Sequence, residues 1–327
     1  ARTANHAQFD PADAGGFYES WFQRANHPDR PLAFWIRSTV FSPKGRPEEA
    51  VGELWAVYFD GERHTNTAAR QEHPIPDTAL ARDRFDVRIG GSQLGPGRLT
   101  GAAGEEGRTI EWDLEWTGGQ APLFDLPPAL YAKRLPRAKA LVAAPLCTYS
   151  GALIVAGTRI EVDDWIGSQN HNWGVRHTDH YAWGQVAGFD DAPDAFLELA
   201  TARLKLGPVW TPFMTPVVFR HEGREYAMNS LAKSFRKGSF TYFDWRFRAA
   251  GPELALEGTI RGQPRDFVAL TYRNPPGGTK TCLNTKIASC RLALTFADGH
   301  KLALASTHRA AFEILTDDDD HGVPVRP

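Results

Sequence analysis

The chain has 327 residues, 42% of them hydrophobic, which is enough for a sizeable core and excludes global disorder. Its net charge is −2 with no basic face, against nucleic acid, whose binding rests on cationic neutralisation of phosphate. No apolar run reaches the ~18 residues that a bilayer span requires, and the opening Ala1-Arg-Thr-Ala-Asn-His carries no apolar signal region.

Ten Trp and nineteen Phe stand against two Met, and such aromatics favour pleated, half-buried surfaces. The stretch 16–24 reads as a short helix or a first strand, and the strand is favoured because four aromatics crowd into seven residues. Residues 31–41 and 51–60 are dense in β-formers, the second ending at the turn pair Asp60-Gly61. Residues 85–89 run into Gly90-Gly91, which reads as a turn because no helical pattern follows. Residues 110–116 alternate, with Ile110, Trp112, Leu114 and Trp116 on one face and carboxylates on the other, so one face is expected wet and one buried.

Residues 117–146 break the pattern with Gly118-Gly119, Pro127-Pro128, Pro136 and Pro145, and carry Lys133, Arg134, Arg137 and Lys139. They are expected to connect two domains, with one helical turn near 129–133. The domains would span 1–140 and 141–327. Strand patterns then resume: 153–162 as a hairpin around Gly157, further strands at 195–204, 216–219, 224–231, 240–248, 254–260 and 267–272, and a last hairpin through Asp298-Gly299. The acidic tail 317–320 is expected to be solvated. Short strands separated by Gly turns, with no long amphipathic helix, predict an all-β chain of two antiparallel β-barrels.

The three cysteines, Cys147, Cys282 and Cys290, show no Cys-x-x-Cys pairing, which speaks against a disulfide framework or a structural zinc site and for a reducing cytoplasm. Cys282 and Cys290 are an even number of residues apart and would share a face of one continuous strand.

The densest chemistry lies in 167–183, which holds His171, His177 and His180 beside Trp173, Arg176, Asp179, Tyr181 and Trp183. A strand would set His171 and Trp173 on one face and Asn172 on the other, a polar group beside an aromatic wall, as in a ligand pocket. Gly174 would let the backbone turn or approach closely. Asp179 in an aromatic pocket would be held protonated and could act as a general acid, with His177 as base. Against this stands a surface turn whose charges pair with one another. His177 and His180 are three apart, which on a strand points the rings to opposite faces, and no Glu or Cys completes a ligand set, so no metal is expected. Nucleophile-elbow, phosphate-loop and dinucleotide patterns are missing, and no cofactor is expected.

With these residues in view, the chain resembles the hydroxyneurosporene-synthase-like group, which includes carotenoid 1,2-hydratases and AttH-like proteins; some fungal Diels–Alderases are distantly similar. The resemblance rests on Phe17-Tyr-Glu-Ser-Trp-Phe, on Gly52-Glu-Leu-Trp-Ala-Val-Tyr-Phe-Asp60, on His171-Asn-Trp-Gly-Val-Arg176 with Trp183 after it, and on Tyr272 with Cys282-Leu-Asn284. It implies two lipocalin-like barrels, a hydrophobic isoprenoid- or polyketide-like substrate and no required redox cofactor. His-Thr-Asp follows Arg176 where the group has an Asp and then an aromatic, so Asp179 takes the place of the missing acid or the acid lies elsewhere. The resulting expectation is a cofactor-independent hydratase, isomerase or cyclase. Its catalytic residues would be His171, Asp179 and His177, and its substrate-binding residues Asn172, Trp173, Arg176, Tyr181, Trp183, Tyr272, Cys282 and Asn284. The rival expectations are a carrier of a lipophile without catalysis, and a structural role for the His-Asn-Trp-Gly segment as a plug between barrels. A homodimer is left open.

Overall fold

The computed structural model describes residues 4–326 apart from Glu106 and Arg134. Arg134, one of the basic residues of the Pro-rich connection, and the opening residues 1–3 thus lie outside the described residues. The remainder is almost entirely antiparallel β-structure, as the aromatic composition and turn spacing predict.

The first sheet contains β1 (Phe17–Asn26), β2 (Leu32–Ser42), β3 (Val51–Asp60), β4 (Thr65–Pro74), β5 (Thr78–Leu80), β6 (Val87–Ile89), β7 (Ser92–Gly95), β8 (Arg98–Ala103), β9 (Ile110–Gly118), β10 (Leu123–Phe124), β11 (Ala138–Val155) and β12 (Thr158–Gly174). Its order is β4-β3-β2-β1-β12-β11-β9-β8-β7-β6-β5, with β10 beside β11. The second sheet draws on β13 (His180–Phe189), β14 (Ala192–Arg203), then, past a small ribbon of β15 (Lys205–Leu206) and β16 (Val209–Trp210), β17 (Val217–His221) and β18 (Arg224–Met228). It is completed by β19 (Gly238–Thr241), β20 (Asp244–Ala250), β21 (Leu254–Arg261), β22 (Val268–Arg273), β23 (Thr279–Phe296), β24 (Lys301–Thr316) and β25 (Val325–Arg326). Its main path is β18-β17-β14-β13-β24-β23-β21-β20-β19. Both sheets follow one plan: the first strand pairs with the last long strand, β1 with β12 and β13 with β24, and antiparallel neighbours continue on either side, while the short β25 pairs in parallel with β22. Each therefore curls into a lipocalin-like barrel.

Three apolar layers follow. Trp21, Phe34, Tyr149 and Trp165 fill the first barrel. Trp245, Phe312, Phe219 and Leu292 fill the second. Trp35, Trp55, Leu270, Cys282 and Leu315 form a layer between them. β2 shows how one strand serves two layers. All eleven of its residues are buried, with Phe34 and Ile36 turned into the first barrel and Ala33 and Trp35 turned towards the second sheet. Each fully buried aromatic contributes about 1.5–3 kcal/mol of transfer free energy, so the tryptophans bind the layers as well as fill them. β9, by contrast, buries Ile110, Trp112 and Leu114 and exposes Glu111, Asp113 and Glu115, matching its alternation.

Several expectations need adjustment. The Pro-rich stretch ends sooner than 146, because β11 already starts at Ala138 and runs through Pro145. Pro145 is accommodated where the β11–β12 register shifts, so its missing N–H interrupts a ladder that is already irregular. Since β11 and β12 are hydrogen-bonded into the first sheet, the change of sheet falls between Gly174 and His180 rather than at 140. The helical turn is the single 3-10 turn Pro128–Leu130. The stretch 240–248 is a hairpin, β19–β20, turning at Tyr242-Phe243. Cys282 and Cys290 both lie on β23 but not on one face: Cys282 sits between the barrels and Cys290 inside the second. Register shifts between Thr285 and Cys290 reset the alternation that spacing alone assumes.

Candidate active site between the sheets

β12 is the central strand of the site. From Ser168 to His171 it is buried on both faces, between β1 and β11. Gly167 and Gly174 make this possible: a Cβ at Gly167 would lie 1.8 Å from the Arg24 carbonyl oxygen, and one at Gly174 2.5 Å from that of Arg137.

Strand alternation then sorts the polar side chains. His171 and Trp173 lie on one face, as expected, with ring centroids 4.7 Å apart. That face looks into the first barrel, where His171 stacks on Trp21 at 4.8 Å. His171 Nδ1 is 2.7 Å from the Ala4 carbonyl oxygen and Nε2 is 2.8 Å from Glu19 Oε1. Glu19 also accepts from the amides of Gln8 and Phe9, so His171 and Glu19 together pin the N-terminal segment across the barrel. Both ring nitrogens are committed, and the side chain has no accessible surface.

The opposite face of β12, with Ser168, Asn170 and Asn172, turns towards the second sheet. Gln185 is the junction between sheets. Its Oε1 accepts from Arg24 Nε at 2.8 Å and Ser168 Oγ at 2.6 Å, and its Nε2 donates to Asn170 Oδ1 at 2.9 Å and Glu198 Oε2 at 2.8 Å. A buried network with this many satisfied partners fixes the two sheets in one arrangement.

Beside this junction is a cavity of about 230 Å³. Phe22, Trp35, Tyr181, Trp183 and Tyr272 give it aromatic walls, and the segment around Asp125 and Leu126 closes one side. A larger groove of about 820 Å³ crosses the outside of the second sheet, but it is open and is lined by Arg236, Arg246, Arg248 and Arg291 among others. The enclosed, aromatic cavity has the character of a small-molecule site.

Three carboxyl groups line this cavity; Glu313 is ion-paired with Lys286, which leaves Glu198 and Asp125. Glu198, on β14 opposite Gln185, accepts from Trp183 Nε1 at 2.5 Å as well as from Gln185. Burial and the neighbouring Asp125 carboxyl hold it well above the carboxylate range, against those two hydrogen bonds. Asp125 is half-buried, its Oδ1 has no hydrogen-bond partner among the described residues, and burial pushes it up to about 7. With both carboxyls raised by burial, and Glu198 also by the Asp125 charge, the cavity retains a carboxyl proton near neutrality.

The other residues singled out by sequence divide into two groups. Asn172, His177, Tyr181, Trp183 and Tyr272 line the cavity, and His171 borders it from the first-barrel side. His177 comes from the turn between β12 and β13, stacks on Tyr18 at 4.0 Å and has Nε2 3.1 Å from the Arg273 carbonyl oxygen, which assigns the ring proton to Nε2. Burial, then the Arg37 charge, pushes it down to about 3, so it is a neutral imidazole. His180 lies apart from it, against Phe240 and Phe213. Trp173, Arg176, Asp179, Cys282 and Asn284 are not among the lining residues. Asp179 Oδ1 is paired with Arg176 and its Oδ2 accepts from the Lys205 amide at 2.9 Å. The expected acid is thus part of a self-paired turn, which places it away from the cavity. Cys282 Sγ is 3.7 Å from Glu313 Oε2, and Asn284 Oδ1 accepts from Lys286 Nζ at 2.5 Å; both stand behind the wall. Among the described residues no three His, Cys, Asp or Glu side chains converge as a metal site.

Sequence reading missed Asp125, Glu198 and Arg37. Two had a signal. Glu198 in Phe-Leu-Glu-Leu-Ala and Arg37 in Trp-Ile-Arg-Ser are lone charges inside strand-like apolar runs, and a charge there needs a reason. Asp125, in Phe-Asp-Leu-Pro-Pro, had none.

No protein-family model matches the chain. Two uncharacterized proteins of Mycobacterium tuberculosis, from strains CDC 1551 / Oshkosh and ATCC 25618 / H37Rv, are 26% identical over 284 residues, covering 86% of this chain and 82% of each of theirs. An AttH candidate from Nitrosomonas europaea superposes with a TM-score of 0.52 at 13% identity over 95% of this chain and 96% of its own. Kievitone hydratase from Nectria haematococca gives 0.54 at 10% identity over 93% and 89%. CghA with Sch210972 gives 0.56 at 11% identity over 92% and 88%. The chain has the lipocalin-like fold of these structures.

Proposed function

We propose that this protein is a cofactor-independent enzyme that transfers a proton to or from carbon on an apolar, unsaturated small molecule, as a hydratase, isomerase or cyclase does. The observation that carries the reading is the carboxyl pair in an aromatic cavity. A carboxyl with a pKa near 7 is matched to general acid–base work at neutral pH, and Asp125 has a free oxygen to work with. Glu198, raised by burial, is a second proton-bearing group lining the cavity. Trp183, Trp35 and Tyr181 offer ring faces that stabilise developing positive charge by about 0.5–2 kcal/mol. Neutral His177 acts as a hydrogen-bonding wall residue in this reading, while His171 and Asp179 hold the surrounding backbone. Hydratase chemistry on this fold is named for kievitone hydratase and supports the reaction class by analogy.

The test is deuterium transfer. The lipophile extracted from natively purified protein is identified by mass spectrometry and returned to the enzyme in D2O. Wild type is expected to place deuterium on carbon, and Asp125→Asn to slow this by about a hundredfold or more. Carriage without chemistry is favoured by one observation: both Glu198 oxygens already accept hydrogen bonds. It predicts binding with no exchange in any variant. Undiminished exchange in both Asp125→Asn and Glu198→Gln would sink the catalytic reading.

A further inference from the structure

Arg37 is a buried cation with no salt-bridge partner among the described residues. Its side chain rises from β2 into the cavity and the residue is only 6% exposed. Among the described residues no carboxylate lies within 4.0 Å of its guanidinium; its one hydrogen bond is from Nη2 to Ser20 Oγ at 2.7 Å, and Nε is buried with no partner. The carboxylates that influence it are already committed. Glu53 accepts from Arg70 and Arg273, and Glu313 accepts from Lys286 at 2.7 Å. Burying a guanidinium in this way is costly unless something completes its hydrogen bonds.

Beyond Ser20 and the Glu313 carboxylate held by Lys286, the groups around it in the cavity are donors. The Tyr272 ring lies 4.6 Å from the guanidinium carbon and supports the charge through its face. Tyr18 and Tyr181 line the same cavity, and among the described residues no hydrogen bond engages either hydroxyl. Burial raises both phenols, so they stay protonated donors at neutral pH. The neighbouring His177 is neutral, with its ring proton given to the Arg273 carbonyl. A planar fork with two free phenols beside it matches an oxyanion. The carboxyl pair lines the same cavity as a separate polar feature, so the cavity offers a bound molecule an acid and a cation.

We infer that Arg37, flanked by Tyr18 and Tyr181, is an oxyanion subsite, and that the substrate is an apolar small molecule bearing a carboxylate, enolate or phenolate. The inference rests on the cavity being the substrate site. Arg37 binds and orients the anionic group, and the unsaturated portion then lies against the aromatic wall within reach of the acid.

The test compares 1-naphthaleneacetate with 1-naphthaleneacetamide, nearly the same shape without the charge, by calorimetric titration of the intact protein at neutral pH. Wild type is expected to prefer the acid by about tenfold or more. Arg37→Gln should bring that ratio to about one and leave amide affinity within about twofold. Arg37→Lys should keep part of the preference, and Tyr18→Phe should lower it by about threefold. The wild-type comparison decides the matter even if Arg37→Gln fails to fold. Equal affinity for acid and amide would overturn the anionic subsite while leaving the cavity as a ligand site. Binding of neither would remove the cavity as a ligand site, and both readings with it.

Discussion

Replacing Asp125 by Asn removes one titrating carboxyl from the cavity and almost preserves its shape. Burial raises this carboxyl from its ordinary 3.8 to about 7, so folding favours the protonated form. The stability it contributes is complete below about pH 4 and is lost as pH rises through about 7. At 1.36 kcal/mol for each tenfold change in ionisation, the full swing is about 4 kcal/mol. The side chain is half-buried, and solvent screening reduces the expected effect to about 2 kcal/mol. Asn has no such dependence. Relative to wild type, D125N should therefore gain about 2 kcal/mol between pH 4 and pH 8. Urea unfolding at half-unit pH steps measures this, with Glu198→Gln placed in both proteins because Asp125 also raises Glu198. A difference that stays flat across this range would refute the reasoning, since Asp125 would then ionise in the folded protein as it does in water.

Three further outcomes are expected. His171→Ala strips a buried imidazole from between Ala4 and Glu19 and should cost about 2–4 kcal/mol, with early proteolysis of residues 4–16; an unchanged melting temperature would contradict the anchoring role. Lys286→Met leaves Glu313 buried without its ion-pair partner and should cost about 3–5 kcal/mol, most of it recovered when Glu313→Leu is added; a double variant no more stable than the single would show that the pair is not the cause. Cys147, Cys282 and Cys290 are buried thiols raised by burial, so a thiol-specific disulfide reagent at pH 8 should react with none of them in native protein and with all three in denaturant.

The strands were largely legible because their patterns are local. β3 runs from Val51 to Asp60, as its β-formers and the Asp60-Gly61 pair indicate, and β9 wets and buries the faces its alternation assigns. Bulges were not legible. The shifts on β23 separate Cys282 from Cys290, and the shifts around Pro145 hide a continuous β11 behind an apparent break. A bulge depends on how two strands meet, and neither strand alone declares it.

The site was half legible for a related reason. The stretch 167–183 does supply cavity residues: Asn170, His171, Asn172, His177, Thr178, Tyr181 and Trp183. Its polar density, however, marked burial as much as chemistry. His171 is polar because a backbone carbonyl and Glu19 need a partner inside the first barrel. Asp179 is acidic because Arg176 and a backbone amide need one in a turn. The groups with the chemistry came from elsewhere. Asp125 lies in a Pro-rich connection, Glu198 in an apolar strand and Arg37 in the second strand of the chain.

By itself, then, the sequence determined the β-architecture, the tight turns and the aromatic supply, since these follow from periodicity and turn chemistry within a few residues. It also marked β12 as unusual. Only the tertiary structure decided which face of β12 meets the cavity, which of its polar residues are already satisfied, and which distant charges converge there. Those outcomes depend on desolvation and on partners more than a hundred residues away in the chain, such as the Arg24–Gln185 pair that joins the sheets. The free energy of a buried charge is set by what surrounds it after folding, and no local pattern carries that information.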